Sequence, residues 1–175
     1  MKYAAIDVGS NAVRLLISET HRRDGRPYLK KILLLRLPLR LGSDAFARGR
    51  IGPAMASQLI KAMKVFKLLL ELHRVDRCRA CATAALREAG NGRQLARAIR
   101  NKTSIALQII SGQEEARLLY RTQVTERLDQ RKAYLYVDVG GGSTELTLFA
   151  RHRAIASRSF NVGSIRLLQG RESLQ

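Results

Sequence analysis

Two short stretches of this chain place a carboxylate at the mouth of a small-residue turn. Asp7 ends the apolar run Tyr3-Ala4-Ala5-Ile6 and leads into Gly9-Ser10-Asn11. Asp138 ends Leu135-Tyr136-Val137 and leads into Gly140-Gly141-Gly142-Ser143-Thr144, with Glu145 next. A glycine-rich turn lets backbone N–H groups approach phosphate oxygens, because no side chain blocks the approach and the exposed amides form an anion-binding concavity. Gly9, Ser10, Asn11, Gly140, Gly141, Gly142, Ser143 and Thr144 are therefore the candidate phosphate binders. An adjacent carboxylate suits a hard cation such as Mg²⁺ that bridges those oxygens. Asp138 and Glu145 flank the glycine turn on adjacent strands and are the candidates to share one Mg²⁺. Asp7 is a further candidate for the metal or its water. An Asp at the end of so apolar a strand needs compensation, whereas a strand glutamate such as Glu145 can simply face solvent.

Either Asp-x-Gly alone marks an ordinary hairpin. The repeat is what separates these two, since Asp138 stands 131 positions after Asp7. Each closes an apolar strand, precedes a small-residue turn and is followed by a second apolar strand. That period reads as two copies of a domain, not a solenoid, and two facing turns would grip one phosphorylated ligand from opposite sides.

The elements that must position these residues follow from pattern. Ala12 to Ile17 returns from the first turn and Tyr28 to Leu37, after Asp24-Gly25-Arg26-Pro27, completes an antiparallel meander. Gly52 and Pro53 are the N-cap and first position of a helix reaching about Arg74, with Leu59, Met63, Phe66 and Leu70 on its packed face. Arg77 to Thr83 reads as a buried strand, Leu95 to Arg100 as helix, and Ala106 to Ile110 as strand, an α/β layer. Ser111-Gly112-Gln113-Glu114 has the form of a capping box, which starts a helix running to about Leu128. Ala133 to Val139, Leu146 to Ala150 and Arg153 to Phe160 are the strands around the second turn.

Three segments together resemble the exopolyphosphatase and guanosine pentaphosphate phosphohydrolase (Ppx/GppA phosphatase) family. They are Asp7-Val8-Gly9-Ser10-Asn11, Ile110-Ser111-Gly112-Gln113-Glu114-Glu115-Ala116-Arg117 and Val137-Asp138-Val139-Gly140-Gly141-Gly142-Ser143-Thr144-Glu145-Leu146. The resemblance covers essentially the whole chain. It implies an actin-like ATPase (sugar kinase/Hsp70/actin) fold with ribonuclease-H-like lobes, and Mg²⁺-dependent hydrolysis of phosphoanhydrides between them. It also implies that Glu115, the second glutamate of its motif, orients and deprotonates the attacking water. Glu114 is occupied by the cap, and for Glu115 the bland role is a helix-dipole partner. Arg87, after Ala82-Thr83-Ala84-Ala85-Leu86, matches a cleft arginine of that family, where a guanidinium would neutralise charge developing on phosphoryl oxygens.

Composition bounds the alternatives. The chain has 175 residues with 32 Lys+Arg against 14 Asp+Glu, a formal charge of +18, so its expected partners are polyanions. With 46% hydrophobic and 26% charged residues it can bury a core. Two cysteines exclude a disulfide scaffold, and Cys78-Arg79-Ala80-Cys81 on a strand would point its sulfurs to opposite faces, as small core residues. His21, His73 and His152 lack ligand spacing, and no Walker loop is present. Aromatics at 5% and dispersed basic residues leave nucleic acid at most a nonspecific, salt-sensitive ligand. No apolar run suffices to cross a membrane and none resembles a secretory signal, so a cytoplasmic location is expected.

The expected organisation is one lobe over residues 1–130 and the beginning of a second over 131–175, because Ala133 to Gln175 are too few for a complete lobe. Asn161 to Leu167 reads as a connection and helix. The substrate expectation is inorganic polyphosphate or guanosine pentaphosphate. The rival readings are a phosphotransferase of the same fold and a noncatalytic polyanion-binding fragment, with a homodimer through uncovered apolar surface.

Overall fold

The computed structural model describes residues 1–123, 129, 131–150, 153–168 and 170. The chain divides into two compact units, Met1–Ile109 and Ile110–Gln175.

The first unit opens with the meander β1 (Lys2–Val8), β2 (Val13–Arg23) and β3 (Arg26–Leu37). Helices α1 (Gly42–Arg48) and α2 (Pro53–Leu72) follow, then β4 (Arg77–Ala82), α3 (Ala84–Glu88), α4 (Gly92–Thr103) and β5 (Leu107–Ile109). The sheet order is β3-β2-β1-β4-β5, with β1 antiparallel to β2 and parallel to β4. Alternate residues of β1 and β2, namely Ala4, Ile6, Val8, Leu15 and Ile17, are buried, as period-2 strands with one covered face require. The same core takes Leu59, Met63 and Phe66 of α2 and Leu95 and Ile99 of α4.

Local chemistry explains the helix limits. Pro53 stands at the first position of α2 behind Gly52, where the missing N–H costs nothing. The segment leading into that helix is held from outside: Asn91 accepts from the Ile51 N–H at 2.9 Å and donates to its carbonyl at 2.8 Å, while Asp44 accepts from the Gly52 N–H at 2.9 Å. Gly92 starts α4 against the preceding helix, where a Cβ would come within 1.9 Å of the Leu86 carbonyl oxygen.

The second unit contains α5 (Gly112–Gln123), the strands β6 (Ala133–Val139), β7 (Thr144–Ala150) and β8 (Arg153–Phe160), and α6 (Ser164–Leu168). Its sheet is an antiparallel β6-β7-β8 meander. Helix α5 packs on β8 and β7, so residues from Ile110 onward group with the second sheet. The sequence reading had placed them in the first lobe. The reason is packing: Gly112 lies against Ser159 of β8, where a Cβ would meet the serine side chain at 3.3 Å.

Two other expectations need correction. β4 is buried only at its C-terminal half, and Cys78 is exposed, not a core residue. Its thiol is nonetheless pushed above the usual range by partial burial. The two cysteines do face opposite ways, since Cys78 is in register with buried Ala4 and Cys81 with Asp7. Helices α1 and α3 were not foreseen. The expectation that α5 continues to Leu128 lies partly outside the described residues.

Candidate functional site

The two carboxylate-bearing hairpins match residue for residue. Val8 pairs with Val13 and Val139 with Thr144, so each turn has four residues, and adding 131 carries every position of the first onto the second. In both, the first glycine donates back across the turn, Gly9 N–H to the Ala12 carbonyl at 3.1 Å and Gly140 N–H to the Ser143 carbonyl at 2.8 Å. The likeness continues past the third strand. Leu37 is in register with Val13, and Phe160 with Thr144. Five residues further on, Gly42 N–H donates to the Ser10 carbonyl at 2.8 Å and Ile165 N–H to the equivalent Gly141 carbonyl at 2.9 Å.

These bonds orient the turns. In the second, the carbonyls of Gly140 and Gly141 accept from the Ser164 and Ile165 N–H groups, and that of Gly142 from Arg166 Nε at 2.6 Å. In a planar trans peptide the carbonyl and the following N–H point in opposite directions. The N–H groups of Gly141, Gly142 and Ser143 are thereby turned away from α6. In the first hairpin the Ser10 and Asn11 carbonyls accept from Gly42 and Arg40 N–H, which turns the Asn11 and Ala12 N–H groups the same way. A row of parallel backbone donors is what an anionic oxygen needs. Gly163 permits the approach, since a Cβ there would lie 2.6 Å from the Gly141 and Gly142 backbone.

The carboxylates are treated differently by the two copies. Asp7 faces Arg14 across the ladder and forms a 3.2 Å ion pair with it, both side chains about half exposed. Asp138 faces Glu145. Glu145 is 3% exposed and its Oε1 accepts from the Ser159 hydroxyl at 2.9 Å, so it does not point to solvent. The nearby Tyr136 phenol is pushed above its ordinary pKa by burial and, secondarily, by the Asp138 carboxylate.

Glu115 stands in the first turn of α5, half-buried, in the unit that also holds Asp138, Glu145 and the glycine turn. The serine half of the expected cap is formed, Glu114 N–H donating to Ser111 Oγ at 3.1 Å. Arg87 lies on α3 in the other unit, half-buried, with Asp7, Gly9, Ser10 and Asn11. It is four residues beyond Thr83, whose N–H reaches the Val8 carbonyl at the mouth of the first turn. Sequence reasoning missed Arg14, Ser159, Gly163 and Arg166. Only Gly163 carried a local signal, a glycine between a strand and a helix.

Among the described residues no group of three or more His, Cys, Asp or Glu side chains is arranged to hold a metal. The Asp138 and Glu145 pair fits Mg²⁺ nonetheless. That ion takes hard oxygen ligands and commonly keeps one or two carboxylates, completing its shell with water and substrate phosphate.

The family model for the Ppx/GppA phosphatase family matches residues 21–171. This chain belongs to that family. Over 173 residues it is 33% identical to exopolyphosphatase 2 of Mycobacterium tuberculosis, covering 96% of this chain and 54% of that protein. A crystal structure of an exopolyphosphatase from Cytophaga hutchinsonii superposes with a TM-score of 0.83 at 26% identity, over 100% of this chain and 55% of that one. The Aquifex aeolicus Ppx/GppA family member gives 0.79 at 28%, over 97% and 54%. The fold is that of the actin-like ATPases, and the Ppx/GppA chain spans about half the length of the curated relatives it matches.

Proposed function

We propose that the chain supplies the phosphate-gripping turns and the catalytic carboxylates of a hydrolase that releases orthophosphate from the end of inorganic polyphosphate or from guanosine pentaphosphate. The observation that carries this is the duplicated turn, in which carbonyls bonded back to the segment that follows the third strand leave the N–H groups of Gly141, Gly142 and Ser143, and of Asn11 and Ala12, directed the other way. Named exopolyphosphatases among the relatives support the substrate class.

In the proposed reaction the oxygen of a water attacks the terminal phosphorus in line. Glu115 takes the water's proton, the bridging P–O bond breaks, and the shortened chain leaves with the bonding electrons on its oxygen. The turn amides and Arg87 stabilise charge on the phosphoryl oxygens. Asp138 and Glu145 would hold Mg²⁺, with Asp7 as a further contributor, and the bound ion would neutralise charge on the phosphate oxygens. The proposed setting is cytoplasmic, and no helix among the described residues is long and apolar enough to cross a membrane.

The test is orthophosphate release from long-chain polyphosphate and from guanosine pentaphosphate, with Mg²⁺ and with EDTA. Metal-dependent release that Glu115→Gln abolishes is the expected result. Binding of polyphosphate with no release from either substrate, or transfer of the phosphoryl group to an acceptor instead of water, overturns it.

A further inference from the structure

Ser159 stands where the second sheet meets its helix. It lies on β8 in register with Glu145 of β7, which is in register with Asp138 of β6. Residues directly opposite one another share a face of the sheet, so Asp138, Glu145 and Ser159 form one polar row across three strands. The next row on that face is Tyr136, Thr147 and Ser157, with the Thr147 and Ser157 hydroxyl oxygens 3.0 Å apart. Helix α5 packs on β7 and β8, and Gly112 in its first turn lies against Ser159, where a Cβ would meet the serine Cβ and Oγ at 3.3 Å.

Glu145 is 3% exposed, and among the described residues its one side-chain hydrogen bond is the 2.9 Å bond that Oε1 accepts from the Ser159 hydroxyl. Burying a carboxylate is costly unless donors of this kind hold it. The need is greater here, because Asp138 stands directly opposite and like charges across a ladder repel. Without a donor on β8, that repulsion favours turning Glu145 away from Asp138. With Oε1 held by β8, the planar carboxyl group has its second oxygen restricted in direction as well. The close approach of α5 at Gly112 favours a small donor at this position.

We propose that Ser159 is a positioning residue for metal binding, the donor that holds Glu145 beside Asp138 so that the two carboxylates can take one Mg²⁺ together. It acts through the Glu145 carboxylate, as the hydrogen-bonding partners of ligating side chains do. This role rests on the Mg²⁺ reading proposed above for what the pair binds, while the row and its hydrogen bond belong to the fold whatever the pair binds.

The test is the melting temperature of the 175-residue protein in EDTA and across a Mg²⁺ titration, which gives an apparent affinity without requiring turnover. Ser159→Ala should weaken Mg²⁺ affinity by about tenfold or more, the loss expected when the partner of a ligating side chain is removed. Ser157→Ala, the same substitution one row away on the same strand, breaks the Thr147 contact and should leave the Mg²⁺ response unchanged. In a Glu145→Gln background Ser159→Ala should reduce the response no further, because the carboxylate through which it acts is gone. Melting in EDTA identifies a variant that has merely unfolded, and if Ser159→Ala does so, Ser159→Cys, of similar size but a weak donor, takes its place. A parent that shows no Mg²⁺ response defeats the metal reading and this role together. A parent that responds while Ser159→Ala responds equally, a loss matched by Ser157→Ala, or an undiminished loss in the Glu145→Gln background defeats this role alone.

Discussion

Asp138 stands directly across the β6–β7 ladder from Glu145, where the first hairpin sets Asp7 across from Arg14. One copy of the repeat thus neutralises its aspartate internally, and the other presents two acids side by side. Like charges directly opposite on a sheet are destabilising unless something cationic joins them. The duplicated hairpins therefore differ, with an ion pair in one and two facing carboxylates in the other, the pair proposed above to hold Mg²⁺.

Glu145→Gln should accordingly act with opposite signs in two conditions. Without divalent ions it relieves the repulsion and keeps the Ser159 bond, so the melting temperature should hold or rise. With Mg²⁺ the stabilisation seen for the parent should fall, with at least about a tenfold loss of affinity, because a hard cation loses one of its two carboxylates. Melting in EDTA and across a Mg²⁺ titration measures both. An unchanged Mg²⁺ response would remove Glu145 from the metal site.

Glu115→Gln should lower kcat by about 10² to 10⁴ with little change in KM, the range of a general base. Glu114→Gln should cost far less turnover, because Glu114 sits at the cap of α5. Equal losses from the two would assign the effect to the helix start.

Gly163→Ala should disturb the second turn, since its Cβ would lie 2.6 Å from the Gly141 and Gly142 backbone. A loss of about 1–3 kcal/mol is expected from overpacking, with weakened phosphate binding. Arg14→Met, by contrast, should shift stability by under about 1 kcal/mol, because it breaks a half-exposed ion pair. Chemical denaturation of both variants compares them directly. A larger loss from Arg14→Met than from Gly163→Ala would refute this ordering.

Alkaline pH should destabilise the first unit through Cys78. Burial raises its thiol pKa in the folded state above the ordinary value of 9.0, so the unfolded chain releases the proton first. The neutral thiol's contribution is complete below pH 9.0 and is lost as pH rises through the folded value. Cys78→Ala should flatten the fall in melting temperature over that window. Identical pH profiles would show that another group titrates.

Much of this layout was legible because it rests on local pattern. The strands around Asp7 and Asp138 announce themselves by apolar runs ending in Asp and Gly, and α2 by Gly52-Pro53 and the Leu59, Met63, Phe66 spacing. α3 was hidden because Ala84 to Glu88 is too short to show a helical period. The partners of the site were hidden for a different reason. Arg14 reaches Asp7 only through strand register, Ser159 reaches Glu145 across the β7–β8 ladder, and Arg166 reaches the Gly142 carbonyl from 24 residues away. Sequence spacing does not report such contacts, and Glu145 in particular reads as a residue free to face water.

The β2–β3 hairpin continues beyond the stretch that β1 can pair, ending at Asp24 and Gly25, with the Tyr28 and His21 ring centroids 5.8 Å apart and the rings tilted by 32°. Both tip residues have positive φ, and a Cβ at Gly25 would meet nothing within 4 Å. The tip is thus a natural attachment point. A cysteine at position 25 carrying a dye, or a short tether to a surface, would sit at the far end of the β2–β3 hairpin from the first glycine turn, so turnover can be watched on an immobilised molecule.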